Sequence, residues 1–134
     1  MPAFTFEGET YKNPVELALH VVGGKWKMPI LWRLNRRVWR YNELRRELPG
    51  ISHKMLTQQL RDMEHHGMIT RTVHAVVPPR VDYDLTDLGR TVVPIIEQLR
   101  AWGATYRRRR SISVGVPRSR PTPSGDQPMK TISR

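Results

Sequence analysis

Between Asn13 and Trp102 the apolar residues keep two rhythms: helical steps of three and four, and strand-like alternation at every second position. Asn13-Pro14-Val15-Glu16 opens the first helical run. Asn can cap, Pro fits a first turn, and Glu three residues after the cap can reach back to its amide. Leu17, Ala18, Val21 and Val22 follow before Gly23-Gly24 end the helix. A second helix over about residues 25–35 carries Trp26, Ile30, Leu31 and Leu34, with Pro29 in or near its first turn. Val38-Trp39-Arg40-Tyr41 is short and β-prone and predicts a small strand. Asn42 is placed to cap a third helix over residues 43–48, which Pro49-Gly50 stops. Ser52 caps a fourth that runs to His66 and ends at Gly67.

Two strands come next. Ile69, Arg71 and Val73 alternate with Thr70 and Thr72, and later Val81, Tyr83 and Leu85 alternate with Asp82 and Asp84. The connection His74-Ala75-Val76-Val77-Pro78-Pro79 is a hairpin loop stiffened by its prolines. Thr86 caps a last helix, whose Leu88, Val92, Ile95, Leu99 and Trp102 follow the 4-3-4-3 spacing of a packing seam. Pro94 is expected to bend it. Residues 1–12 read as a loose N-terminal arm, 13–106 as one domain, and 107–134 as a basic, disordered tail. The tail is too rich in Pro, Ser, Gly and Arg to bury a core. The chain is thus mainly α with a small β-hairpin, in the element order of a winged helix-turn-helix.

The fourth helix carries the chemistry. With Leu60 facing the core, Leu56, Met63 and Gly67 fall within an arc of about 60° at roughly 100° per residue. Lys54, Gln58, Arg61 and His65 lie opposite, with Thr57 beside them. Arg and Lys can donate to guanine O6 and N7, Gln can pair with adenine N6 and N7, and Thr can meet a thymine methyl or a phosphate. Residues 52–58, at the helix start, would come closest to base edges, and Ser52 with nearby amides suits a phosphate. Any amphipathic helix has a polar outer face, so the preceding helix, the tight turn and the following hairpin give this face its meaning. Arg80 at the base of the loop and Arg71 on the paired strand are placed for phosphate or minor-groove contact. Lys25, Lys27, Arg40, Arg45 and Arg46 are either flanking contacts or surface charges.

Charge modifies this picture less than its total suggests. Seven of the eleven net positive charges lie in residues 107–134, where eight basic residues face Asp126 alone. The tail is either a solvated end or an arm that neutralises phosphates. There is no cysteine, which removes disulfides, thiolate ligands and thiol nucleophiles. No long uncharged apolar stretch reads as a membrane span, and no basic-then-apolar N-terminus reads as a secretory signal, so a cytoplasmic address is expected.

Rival functions fare worse. Gly23-Gly24-Lys25 lacks the earlier glycine of a phosphate loop, where Leu19 stands, and the following Ser or Thr, where Trp26 stands. His65 and His66 are adjacent, not the usual i, i+4 metal pair, and His20, His53 and His74 are scattered in sequence. No enzyme, cofactor or metal site is therefore expected. An interaction module that no longer reads DNA would show apolar or acidic residues where Lys54, Gln58 and Arg61 stand, and an RNA binder would show exposed aromatics.

The stretches NPVELALHVVGGKW, ILWRL, YNELRRELPGISHKMLTQQLRDMEHHGMI, VPPRVDYDLTDLGR and LRAWG together resemble the HxlR-type regulators, winged-helix relatives of the MarR-like proteins. The resemblance covers about residues 13–103. It implies a homodimer joined by the first and last helices, here through Leu17, Val21, Val92, Ile95, Leu99 and Trp102. It also implies a helix at Ser52 that enters the major groove of double-stranded DNA and a wing before Arg80. A two-fold dimer would read inverted half-sites about 34–36 Å, one helical turn, apart or a multiple of it. Repression is the expected outcome, and an unidentified small-molecule effector in the cleft beside the reading head the other expected partner. Family members commonly begin the first motif with Cys-Pro. Here Asn13 takes that place, so thiol sensing does not carry over. The turn before Tyr41 usually holds Gly, where this chain has Arg36-Arg37-Val38-Trp39.

Overall fold

A computed structural model describes residues 2–113. The chain divides into two units, Met1–Pro94 and Ile95–Arg134. Residues 1–12 are not a loose arm. They form a hairpin of β1 (Phe4–Phe6) and β2 (Glu9–Tyr11), with Phe6 opposite Glu9. The two-residue link Glu7-Gly8 has φ of 50° and 85°, the double positive φ that a tight right-twisted hairpin requires.

Helix α1 (Pro14–Val22) starts as its sequence implies, with Asn13 Oδ1 accepting from the Val15 amide at 2.8 Å. Helix α2 (Lys27–Leu34) begins two residues later than expected and buries Ile30, Leu31 and Leu34. Strand β3 (Trp39–Arg40) leads straight into α3 (Tyr41–Glu47). The cap of α3 is therefore Arg40, not Asn42. Glu43 accepts from the Arg40 amide at 2.9 Å and from Arg37 at 3.1 Å. Those two contacts, the backbone one first, hold the Glu43 carboxyl below its ordinary range. Arg37 also stacks over Trp39 at 3.6 Å, so the basic turn before Tyr41 is tied to the fold.

Helix α4 (His53–His65) is capped by Ser52, whose Oγ accepts from the Met55 amide at 3.0 Å. Leu56, Leu60 and Met63 are buried. Gly67, expected on the same face, is exposed and ends the helix with φ of 77°. Strands β4 (Ile69–His74) and β5 (Arg80–Leu85) pair antiparallel from Ile69–Leu85 to His74–Arg80. β3 adds to the free side of β5, giving the order β3-β5-β4.

The last helix is not one bent rod. Thr86 caps a single turn, α5 (Asp87–Arg90), by accepting from the Gly89 amide at 2.9 Å, and donates to the Gly67 carbonyl at 2.6 Å. The helix restarts as α6 (Val93–Arg109). Proline has no amide and its ring would strike the carbonyl four residues back, so the chain breaks where Pro94 falls in a first turn instead of bending around it. Residues 107–109, assigned to the tail from sequence, continue α6. The tail from residue 114 onward lies outside the described residues. No helix among the described residues is long and apolar enough to cross a membrane.

Candidate nucleic-acid interface

The pattern that buries one side of α4 exposes the other: Ser52, Lys54, Gln58 and Arg61 are all exposed. Among the described residues no ion pair occupies Lys54 or Arg61, so neither charge must break a partner to meet DNA. Ser52 already uses its Oγ lone pair to cap the helix, which leaves its O–H to donate to an anion at the same N-terminus.

Thr57 is half-buried and turns inward. Its Oγ1 lies 3.2 Å from Tyr41 Oη, which also meets His53 Nδ1 at 2.6 Å and donates to the His53 carbonyl at 3.2 Å. Tyr41 thus fastens the start of α3 to the first turn of α4 and sets the angle at which the polar face is presented. Sequence reasoning missed this interaction; a tyrosine opening one helix and a histidine opening the next is its faint signal.

A cleft of about 380 Å³ opens between α4 and the sheet, with Thr57, Arg61, Glu64, Arg71 and Tyr83 on its walls. Arg71 sits opposite Tyr83 across the ladder, and burial pushes the Tyr83 phenol pKa up against the influence of the Arg71 guanidinium. Arg71 and Arg61 therefore face one opening from strand and helix.

The wing loop, residues 75–79, is exposed throughout. Arg80 at its base is half-buried, with Nε 3.5 Å from Asp82, and Asp82 also meets His74 at 2.8 Å. This carboxylate braces the two strand ends, so Arg80 is a held side chain and not a free one. A second cleft of about 650 Å³ runs between the wing and α3, lined by Arg40, Arg46 and Arg80 as well as the wing itself. Of the other basic residues, Lys27 is corrected outright. It is 8% exposed and pairs with Asp62 at 3.6 Å, so it belongs to the core and not to the flank.

The apolar residues expected at a dimer contact divide. Ile95, Leu99 and Trp102 on α6 are exposed, and Trp102, 64% exposed, stacks on Tyr106. Val92 is buried, and Leu17 and Val21 are half-buried. On α1 the exposed large apolar residues are Val15 and Leu19, which the sequence pattern did not single out.

Residues 21–111 match the HxlR-like helix-turn-helix family. The chain belongs to this family. Among its relatives, the HTH-type transcriptional regulator YtcD of Bacillus subtilis is 47% identical over 100 residues, covering 75% of this chain and 79% of that one. A crystal structure of an HTH-type transcriptional regulator ytcD superposes with a TM-score of 0.69 at 46% identity, over 72% of this chain and 99% of its own. The redox regulator HypR, in its oxidised form, gives 0.67 at 45% identity, over 69% and 96%. This HxlR-family chain is a transcriptional regulator with a helix-turn-helix DNA-binding fold, not an enzyme. Its sequence holds no cysteine. Thiol oxidation is therefore not open to it.

Proposed function

We propose that this regulator reads a specific operator as a homodimer, with α4 in the major groove, the wing alongside, and repression by exclusion of polymerase. The observation that carries the reading is the unoccupied polar face of α4, where Lys54, Gln58 and Arg61 project from a helix whose opposite side is anchored by Leu56, Leu60 and Met63. Ser52 at the helix start and Arg71 beside the cleft add phosphate donors to base-reading side chains. Arg80 contributes from the wing base, at the cost of loosening its pair with Asp82.

Dimerisation is supported by large apolar side chains that stay exposed at helical spacing on α6, namely Ile95, Leu99, Trp102 and Tyr106, and separately by Val15 and Leu19 on α1. The wild-type chain is expected to sediment at twice its 15.7 kDa mass. Leu99→Asp is expected to sediment at the single-chain mass and, without its second reading head, to bind operator at least about tenfold more weakly. A wild-type monomer that binds its operator as a monomer would contradict this reading. DNase footprinting on operator DNA is expected to show two inverted protected segments about 34–36 Å, one helical turn, apart or a multiple of it. A single protected half-site would refute the two-fold geometry.

A further inference from the structure

Glu7, at the tip of the N-terminal hairpin, is met by imidazoles from two helices. His20 Nε2 of α1 and His66 Nε2 at the end of α4 lie 3.1 and 2.9 Å from its Oε1, and His65 Nε2 lies 2.9 Å from Oε2. His65 and His66 both reach the carboxylate because His66 is the C-cap, past the regular helix, where ψ has moved to 5°. His20, scattered from them in sequence, is brought alongside, with its ring centroid 5.7 Å from that of His66.

Imidazole nitrogens together with a carboxylate form a donor set suited to zinc and its neighbours among the divalent transition metals. A further observation fits such an ion. Tyr11 Oη closes on His20 Nδ1 and is placed to accept its N–H, the kind of outer contact that leaves the opposite nitrogen's lone pair facing inward. His66, with a side chain 8% exposed, presents its Nε2 to the cluster.

The distances also suit. The donor atoms of Glu7, His65 and His66 lie within 4.8 Å of one another. Around a tetrahedral ion with bonds of about 2.1 Å the donor atoms lie roughly 3.4 Å apart, so the widest pair has to close by up to about 1.4 Å. His65, 69% exposed at its side chain, is free to supply that movement.

We infer that Glu7, His20, His65 and His66 form a binding site for one divalent transition-metal ion of the zinc class, which ties the N-terminal hairpin to α1 and to the end of the recognition helix. The site stands on its own geometry and does not depend on how α4 meets DNA.

The test is equilibrium dialysis of the untagged full-length chain against zinc alone, with elemental analysis of the retained protein. About one zinc per chain is expected at about 10 µM free zinc, with Glu7→Gln and His65→Ala each weakening binding at least about tenfold. Tyr11→Phe, which keeps every ligand but frees the His20 ring, is expected to weaken it by a similar factor. His65 is exposed, so its variant tests the site without threatening the core. Less than about 0.1 zinc per chain under these conditions would overturn the inference. So would wild-type affinity in both Glu7→Gln and His65→Ala, because the metal would then sit elsewhere.

Discussion

A chain carrying Gln58→Ala and Arg61→Ala together is expected to lose about 30-fold to 10⁴-fold of its preference for operator over random DNA, at about 1–3 kcal/mol for each base-reading side chain removed. Both side chains project from the exposed face of α4, and neither takes part in the packing of its buried face. The variant should therefore unfold at nearly the wild-type denaturant concentration, since surface substitutions usually stay within about 0.5 kcal/mol. Lys54→Ala shows whether Lys54, on the same face, reads a base like its neighbours or holds a phosphate. A lysine on phosphate is expected to weaken all sequences about equally and to flatten the dependence of log K on log salt by roughly one unit. Competition titrations of the variants against operator and shuffled DNA distinguish the two patterns. Undiminished discrimination in the double variant would show that another surface reads the sequence.

Replacing Leu56 by Ala is expected to cost about 2–5 kcal/mol of unfolding free energy, a large share of the roughly 5–15 kcal/mol that small domains possess. Leu56 is fully buried, one turn before Leu60 on the same side of α4. The surrounding side chains can collapse only partly into the space a leucine leaves. The melting temperature should fall by roughly 10–30 °C, read by thermal or urea unfolding followed by far-UV circular dichroism. A loss below about 1 kcal/mol would mean that α4 is not seated through this face. Leu56 and Lys54 are two residues apart in the chain. Opposite outcomes at the two positions, reduced stability at one and reduced DNA affinity at the other, follow from the roughly 100° turn per residue of a helix.

Helical periodicity and caps made most of the fold legible. Asn13, Ser52 and Thr86 announce their helices because each offers a short polar side chain to an amide two or three residues on, and all three do so in the structure. The buried face of α4 and the hairpin of β4 and β5 followed from apolar spacing of three to four and of two. The N-terminal hairpin escaped because its strands are three residues each, too short for a periodic signal to stand out. Its trace was Phe4 and Phe6 alternating with Thr5, then a Glu-Gly pair at the turn. The break before α6 escaped for another reason: Leu88 fits the seam spacing although it belongs to a separate turn, and apolar periodicity does not register a missing backbone amide.

The candidate interface was partly legible for the same reason. The exposure of Lys54, Gln58 and Arg61 is a property of one helix and can be read from that helix alone. Interactions between distant parts of the chain could not be read this way. Lys27 looks like any surface lysine until α2 is packed beside Asp62. Arg80 looks free until β4 and β5 bring His74 and Asp82 beside it. The grouping of His20 with His65 and His66 is likewise created by tertiary packing around Glu7.

The central claim is that this regulator discriminates DNA sequences and does not merely bind polyanions. Its most direct test is a fluorescence-anisotropy titration at about 150 mM salt, where exposed charges are screened beyond roughly 8 Å. The probe is the segment the wild-type chain enriches from a genomic pool, and the control is the same segment shuffled. A preference of about 10³-fold or more for the enriched segment is the expected result. Equal affinity for both, falling together as salt rises, would contradict the account and leave only non-specific attraction to phosphate.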